Sequence, residues 1–205
     1  MAEIFLADVE NNPRAGGHYA ASIESMRAKG FEVPGIMHLL AFKPKASDLL
    51  NQYTQEVMRG KSPLSPAFRE LIATITSESN DCSFCRDAHG QAAALLFESE
   101  GRVKKGKGQD FLGAVLEGNA DLTEAEWALL EFVVQVNSDA QQVDAKDVKK
   151  LKKLGWADEA IFDAITVCSL FNFYNRWVGA NGVMWKKEQS SLASGSRIAE
   201  RGYIP

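Results

Sequence analysis

Residues 65–89 read SPAFRELIATITSESNDCSFCRDAH, and the rest of the chain is organised around this stretch. Ser65 is a good N-cap and Pro66 suits the first helical position, where its missing N–H costs nothing, so a helix is expected to start here. Phe68, Leu71, Ile72 and Ile75 follow at the spacing of one helical face. Glu70 lies off that stripe, next to the polar side that carries Thr74 and Ser77. Asn80 and Asp81 break the helix and are expected to cap a second one, over 82–99, rich in alanine and leucine.

On that second helix Cys82, Cys85 and His89 stand at i, i+3 and i+7 and share a face. Thiols at a helix N-terminus meet unpaired N–H groups and the positive end of the dipole, which favours thiolate. A free thiol titrates near ~8.5, and such settings bring it to roughly 3.5–7.5. His89, one turn past Cys85, can take the thiol proton or stay as a cation beside the thiolate. Antiparallel packing of the two helices would set Glu70 on His89, giving a nucleophile, a base and an orienting carboxylate. Zinc is the main rival, since Cys, Cys and His are all ligands. No fourth ligand occurs at usual spacing: His18 and His38 are remote, and Cys168 sits in an apolar helix and reads as a buried small hydrophobe. No metal and no cofactor are therefore expected.

Outward from this centre no segment alternates like a strand, and the chain reads as all-α. Residues 1–15 read as an extended arm and 18–28 as a short helix ended by Gly30. The apolar run 33–42 has Pro34 in its first turn, and Pro44 separates it from an amphipathic helix over 46–59. Beyond the centre, the Gly- and Lys-rich segment 101–109 lacks the Gly-Lys-Ser/Thr ending of a phosphate loop. A short helix is expected over 110–117, Thr123 with Glu126 forms a capping box for 124–137, and Asp144 caps the next helix. Asp158 opens a last long helix, running on toward Val183. Residues 184–205 form a polar tail that either frays or packs on a neighbouring subunit. There is an internal echo: Leu64-Ser65-Pro66-Ala67 and Leu71-Ile72 align with Leu122-Thr123-Glu124-Ala125 and Leu129-Leu130. The expected organisation is an arm and helix over 1–29, one helical domain over 30–183, built from one unit or two similar halves, and the tail.

Composition narrows the function classes. The net charge of −4 over 205 residues gives no electrostatic reason to expect nucleic acid or an anionic membrane as a partner. The N-terminus lacks the apolar run of a secretory signal, and no stretch approaches the roughly 18 continuous apolar residues of a membrane span. Three cysteines, two of them close together, fit a reducing, cytoplasmic setting better than a disulfide framework.

The pattern Glu70-x11-Cys82-x2-Cys85-x3-His89 after a Leu-Ser-Pro helix start resembles the alkylhydroperoxidase D-like family of the carboxymuconolactone decarboxylase superfamily. The Val-Pro…Leu…Pro helix pair upstream and Asn172, Asn175 and Arg176 downstream resemble its peroxidase-related branch, over roughly residues 30–183. The resemblance implies an all-α, single-domain helical bundle that forms homo-oligomers. It implies a thiol-dependent peroxidase that reduces a hydroperoxide substrate and is itself reduced by an external dithiol, with no cofactor. It makes Cys85 the attacking thiolate, Cys82 the resolving thiol, His89 the proton carrier and Glu70 its relay partner. Phe84 stands where alkylhydroperoxidase D has a histidine, which shortens the proton path and implies an apolar substrate entrance. The alternatives are a redox-sensing or thiol-exchange module without peroxidase turnover, and a metal-binding site. Asn172, Asn175 and Arg176 fit helix packing and caps, with a face toward the redox pocket or an interface as the other reading.

Overall fold

Helix signals in the sequence become helix starts in the structure, a computed structural model that describes residues 4–12 and 16–204. The elements are α1 (Ala7–Glu10), α2 (Gly17–Ala28), α3 (Gly35–Phe42), α4 (Pro44–Arg59), α5 (Pro66–Ser79), α6 (Ser83–Ser99), α7 (Gly108–Leu116), α8 (Glu124–Asp139), a 3-10 turn (Ala140–Gln142), α9 (Ala145–Lys153), α10 (Asp158–Ala180) and α11 (Glu188–Arg201). No strand occurs among the described residues, so the fold is all-α. None of these helices is long and apolar enough to cross a membrane.

The caps form as expected. Ser65 Oγ accepts from the Phe68 N–H at 3.2 Å. Thr123 Oγ1 accepts from the Glu126 N–H at 3.2 Å while Glu126 Oε2 accepts from the Thr123 N–H at 2.7 Å. Asp144 and Asp147 make the same reciprocal box at the start of α9. Each such cap is worth ~1 kcal/mol.

Helix α5 is the axis of the molecule, packed against α6, α10, α8 and α4. Leu71 and Ile72 on α5 meet Leu129 and Val133 on α8 and Val167 and Phe171 on α10 in one buried cluster. Fully burying each of these side chains contributes about 1.5–3 kcal/mol. The side of α5 that carries Glu70, Thr74 and Ser77 is buried as well. A helix covered on every face places its polar residues in the interior, and this puts a carboxylate where the chemistry can use it.

Several expectations are corrected. The first residues are not simply an extended arm: Val9 on α1 and Ile4 are buried, and the Phe5 N–H donates to Asn181 O at 2.9 Å. Residues 1–3 and 13–15 lie outside the described residues. Pro34 is the N-cap of α3 rather than part of its first turn, and Pro44 opens α4 rather than preceding it. The 184–205 segment is not a frayed tail. It contains α11, which packs on α6 of its own chain. Gly195 permits this crossing, since a Cβ there would sit 2.4 Å from Ala88 O.

Candidate active site

The two cysteines owe their place to a tight connection between α5 and α6. Asp81 adopts a left-handed backbone (φ 54°), a conformation that aspartate tolerates better than most residues. The Asp81 N–H then returns to Glu78 O at 3.0 Å and the Cys82 N–H to Ser77 O at 2.9 Å. Cys82, rather than Asp81, is consequently the N-cap of α6, with Cys85 in the first turn.

All three thiols are free. Cys82 is half-buried and Cys85 is buried. The Cys85 thiol donates to the Cys82 sulfur and is the main reason that Cys82 falls to about 7; burial opposes this, and the Cys85 backbone N–H and Asn175 add to it. The backbone N–H does so without reaching the geometry of a cap bond. Cys85 moves the other way, well above the usual thiol value, because its proton is held by Cys82 and because it is buried. Of the two thiols, the partly exposed Cys82 is the more acidic. Cys168 is buried, with its thiol 3.7 Å from Val133 O, as expected of a small packing residue.

The second half of the site is a buried carboxylate with three donors. Glu70 is fully buried. Its Oε2 lies 2.7 Å from His89 Nδ1. Its Oε1 accepts from Arg59 Nη2 at 2.6 Å and from the Tyr203 hydroxyl at 2.7 Å. Burial alone would raise this carboxyl, but His89, Arg59 and Tyr203 together hold it below its ordinary value. An ionised carboxylate can only accept, so Nδ1 carries the proton and Nε2 is left as the basic atom. Among the described residues Nε2 makes no hydrogen bond, and the ring is held edge-on by Phe171 at 4.5 Å between centroids.

The four residues singled out in the sequence therefore fall into two coupled pairs, Cys82 with Cys85 and Glu70 with His89. No hydrogen bond joins His89 to either sulfur. Phe84 is buried, stacked on Trp185 at 4.2 Å, and its carbonyl accepts from Trp185 Nε1 at 2.9 Å. It packs beside the thiols instead of lining an open entrance. Asn175 belongs to the site: its Nδ2 donates to Ser77 Oγ and its Oδ1 accepts from Asn80, both at 2.9 Å, on the strand of chain that leads into Cys82. Asn172 bonds to Asn137 at 2.6 Å, and exposed Arg176 donates to Asn172 O at 3.0 Å, which are packing roles. Among the described residues no three His, Cys, Asp or Glu side chains are grouped as a metal ion requires.

Arg59 and Tyr203 were not singled out in the sequence. Arg59 read as the end of a helix, and Tyr203 lay in the polar tail. The available signal was the recurrence of Ser191, Gly195 and Ile198 at i, i+4 and i+7, a face narrow enough to dock on another helix; all three are buried.

Residues 44–103 match the model of the Carboxymuconolactone decarboxylase family, a span that contains Glu70, Cys82, Cys85 and His89. No curated protein sequence matches the chain significantly. Among solved structures, it is similar to an uncharacterized peroxidase-related protein from Silicibacter sp. TM1040, with 23% identity, a TM-score of 0.75, and coverage of 93% of this chain and 95% of that one. It is similar to an alkylhydroperoxidase AhpD core, an uncharacterized peroxidase-related protein from Ralstonia eutropha JMP134, with 25% identity, a TM-score of 0.68, and coverage of 87% and 94%. The debrominase Bmp8 in its apo form shares 20% identity at a TM-score of 0.61, over 82% and 86% of the two chains.

Proposed function

From the premise that the chain belongs to the carboxymuconolactone decarboxylase superfamily, with an alkylhydroperoxidase D-like fold, we propose that it is a thiol peroxidase. In this reading it reduces hydroperoxides through a Cys82–Cys85 dithiol/disulfide cycle, with Glu70 and His89 as its proton relay. The observation that carries the reading is the placement of the thiols: a partly exposed Cys82, lowered to about 7, at the N-cap of α6, three residues from a buried Cys85. The peroxidase-related name of the structural neighbour at 25% identity supports the same direction, while the one at 23% speaks for the fold. The likeness to the debrominase, at 20% identity, speaks for the fold alone.

The cycle runs in three balanced steps. The Cys82 thiol proton passes to His89 Nε2; the resulting thiolate attacks the peroxide O–O bond, an S–O bond forms, the O–O bond breaks, and the leaving alkoxide takes that proton back from Nε2 to depart as an alcohol. Glu70 holds the His89 Nδ1–H throughout, so the proton travels on Nε2. The Cys85 thiol then attacks the sulfenic sulfur, an S–S bond forms, and water leaves with the Cys85 proton. An external dithiol reduces the disulfide by exchange and ends as a disulfide itself. Exposure and charge support Cys82 as the attacking sulfur, the reverse of the order that the family resemblance implies. A homo-oligomer is part of the proposal, supported by Leu49 and Tyr53, exposed one turn apart on α4, and a solution mass measurement checks it.

Sulfenate trapping after one equivalent of an organic hydroperoxide tests the order. The trapped species is expected in Cys85→Ser, where Cys82 remains, and not in Cys82→Ser. The opposite pattern would make Cys85 the attacking sulfur. Steady-state peroxide consumption with a small dithiol tests turnover: a single stoichiometric oxidation without turnover would make the chain a redox sensor.

A further inference from the structure

The proposed relay takes two of its donors from outside the motif, and one of them comes from the far end of the chain. Tyr203 lies 133 residues after Glu70 and reaches it through α11. The route is specific. Ser191, Gly195 and Ile198 seat α11 on α6. Gly202 then turns the chain at φ 68°, close enough to Gln55 that a Cβ would meet its Oε1 at 2.4 Å. The same Gln55 oxygen accepts from the Tyr203 N–H at 2.8 Å. This turn sets the Tyr203 ring nearly parallel to His89 (12°, 6.1 Å) and 5.3 Å from the Arg59 guanidinium.

Arg59 joins the two ends. Its Nη2 bridges Glu70 Oε1 at 2.6 Å and Ile198 O at 3.1 Å, in the last turns of α11. Ile198 O also accepts from the Gly202 N–H at 2.9 Å, so Arg59 adds a second donor to it, and a guanidinium there meets the negative end of the dipole. The Tyr203 hydroxyl is kept protonated, first by burial and then by the Glu70 charge, so it donates to Glu70, while its oxygen lies 3.3 Å from His89 Nδ1.

We propose that Tyr203 and Arg59 are positioning residues, which occupy one oxygen of the Glu70 carboxylate so that the other faces His89 Nδ1, and that α11 is the part of the fold that completes the relay. The inference deepens the proposed function and rests on the Glu70–His89 pair being its proton relay. Among the described residues, the charged or titratable groups that face that carboxylate are His89 from α6, Arg59 from α4 and Tyr203 beyond α11, with Arg69 the neighbouring charge on α5.

The test is the imidazole N–H proton resonance of His89, which a carboxylate partner shifts downfield. With three histidines in the chain, it is assigned by its loss in His89→Gln. Tyr203→Phe keeps the ring and removes only the hydroxyl. The resonance is expected to move further downfield, because the carboxylate has lost a competing donor. Arg59→Lys, which cannot bridge Glu70 and Ile198 O in the same way, is expected to move it in the same direction. Leu192→Ala, on the exposed side of α11, is expected to leave it in place. An unchanged or upfield position in Tyr203→Phe, or an equal shift in Leu192→Ala, overturns the inference. Peroxide oxidation of the wild type reports separately on the proposed function: if peroxide leaves the thiols reduced, that reading fails, while the resonance still decides the role of Tyr203.

Discussion

The segment that opens at Ser65 and the one that opens at Thr123 start alike and end differently. Both begin with a hydroxyl cap that accepts from the third residue of the helix, and both send a leucine pair or its equivalent into the same core. At the offset of 58 residues, Glu70 corresponds to Ala128, Cys82 to Ala140 and Cys85 to Val143. Glu70 and Ala128 are both buried. Around Glu70, however, three elements converge and each supplies a donor: α4 gives Arg59, α6 gives His89, and the chain beyond α11 gives Tyr203. After α5 the chain turns through Asp81 into a long helix capped by Cys82; after α8 it passes into a short 3-10 turn that begins at exposed Ala140. Cap and core residues are enough to make a helix. A site needs neighbours that satisfy a buried charge.

The largest expected contrast is between cysteines. Cys82→Ser and Cys85→Ser should each abolish steady-state hydroperoxide consumption with a dithiol donor, whereas Cys168→Ser, buried beside α8, should keep it. Turnover that survives loss of either paired cysteine would break the account of the first segment. Next comes the carboxylate. Glu70→Gln is expected to slow turnover by about 10²-fold, the lower end of what positioned proton transfer contributes. It should also cost about 3 kcal/mol in urea unfolding, since breaking a buried ion pair leaves its partners uncompensated. Ala128→Ser, at the corresponding place in the second segment, should leave turnover unchanged.

Two pH experiments sharpen the same comparison. Cys82 alkylation should rise with pH through a midpoint near about 7, and Cys85→Ala should move that midpoint upward, because the donor that stabilises the thiolate is gone. The Glu70 carboxyl is held below its ordinary value, so the stability it contributes is fully present above about pH 4.3, the unperturbed glutamate value, and is lost as pH falls through its folded value. Acid unfolding of wild type and Glu70→Gln should therefore converge as the pH drops; a constant gap would mean that the carboxylate charge contributes nothing. The smallest expected effect is shared by both segments: Ser65→Ala and Thr123→Ala should each cost ~1 kcal/mol, read as equal losses in thermal unfolding.

Local signals were readable from the residues alone. Ser65, Thr123 and Asp144 announce helix starts because a cap is a contact over two or three positions. The pairing of Glu70 with His89 was expected from the spacing of the two helices, and the 2.7 Å contact agrees. What stayed hidden depends on contacts between distant parts of the chain. The complete burial of Glu70 depends on α6, α10 and α8 packing around α5 and on Tyr203 arriving from beyond α11. The serines and glycines of the last segment looked like a tail, yet their smallness is what lets α11 approach α6 at Gly195. Tyr203 gains its role only after that approach, and no local pattern encodes a partner 133 positions away. The charge order of the two cysteines also needed the structure, because only packing shows which sulfur is open to solvent.

The central claim is that Cys82 and Cys85 pass between dithiol and disulfide as a hydroperoxide is reduced. Peptide mass mapping of the reduced protein after one equivalent of an organic hydroperoxide tests it most directly. The account predicts one mole of alcohol formed per mole of chain and a single peptide with an internal Cys82–Cys85 disulfide, two hydrogens lighter than its dithiol form. Unconsumed peroxide with both cysteines still free to alkylate would contradict it.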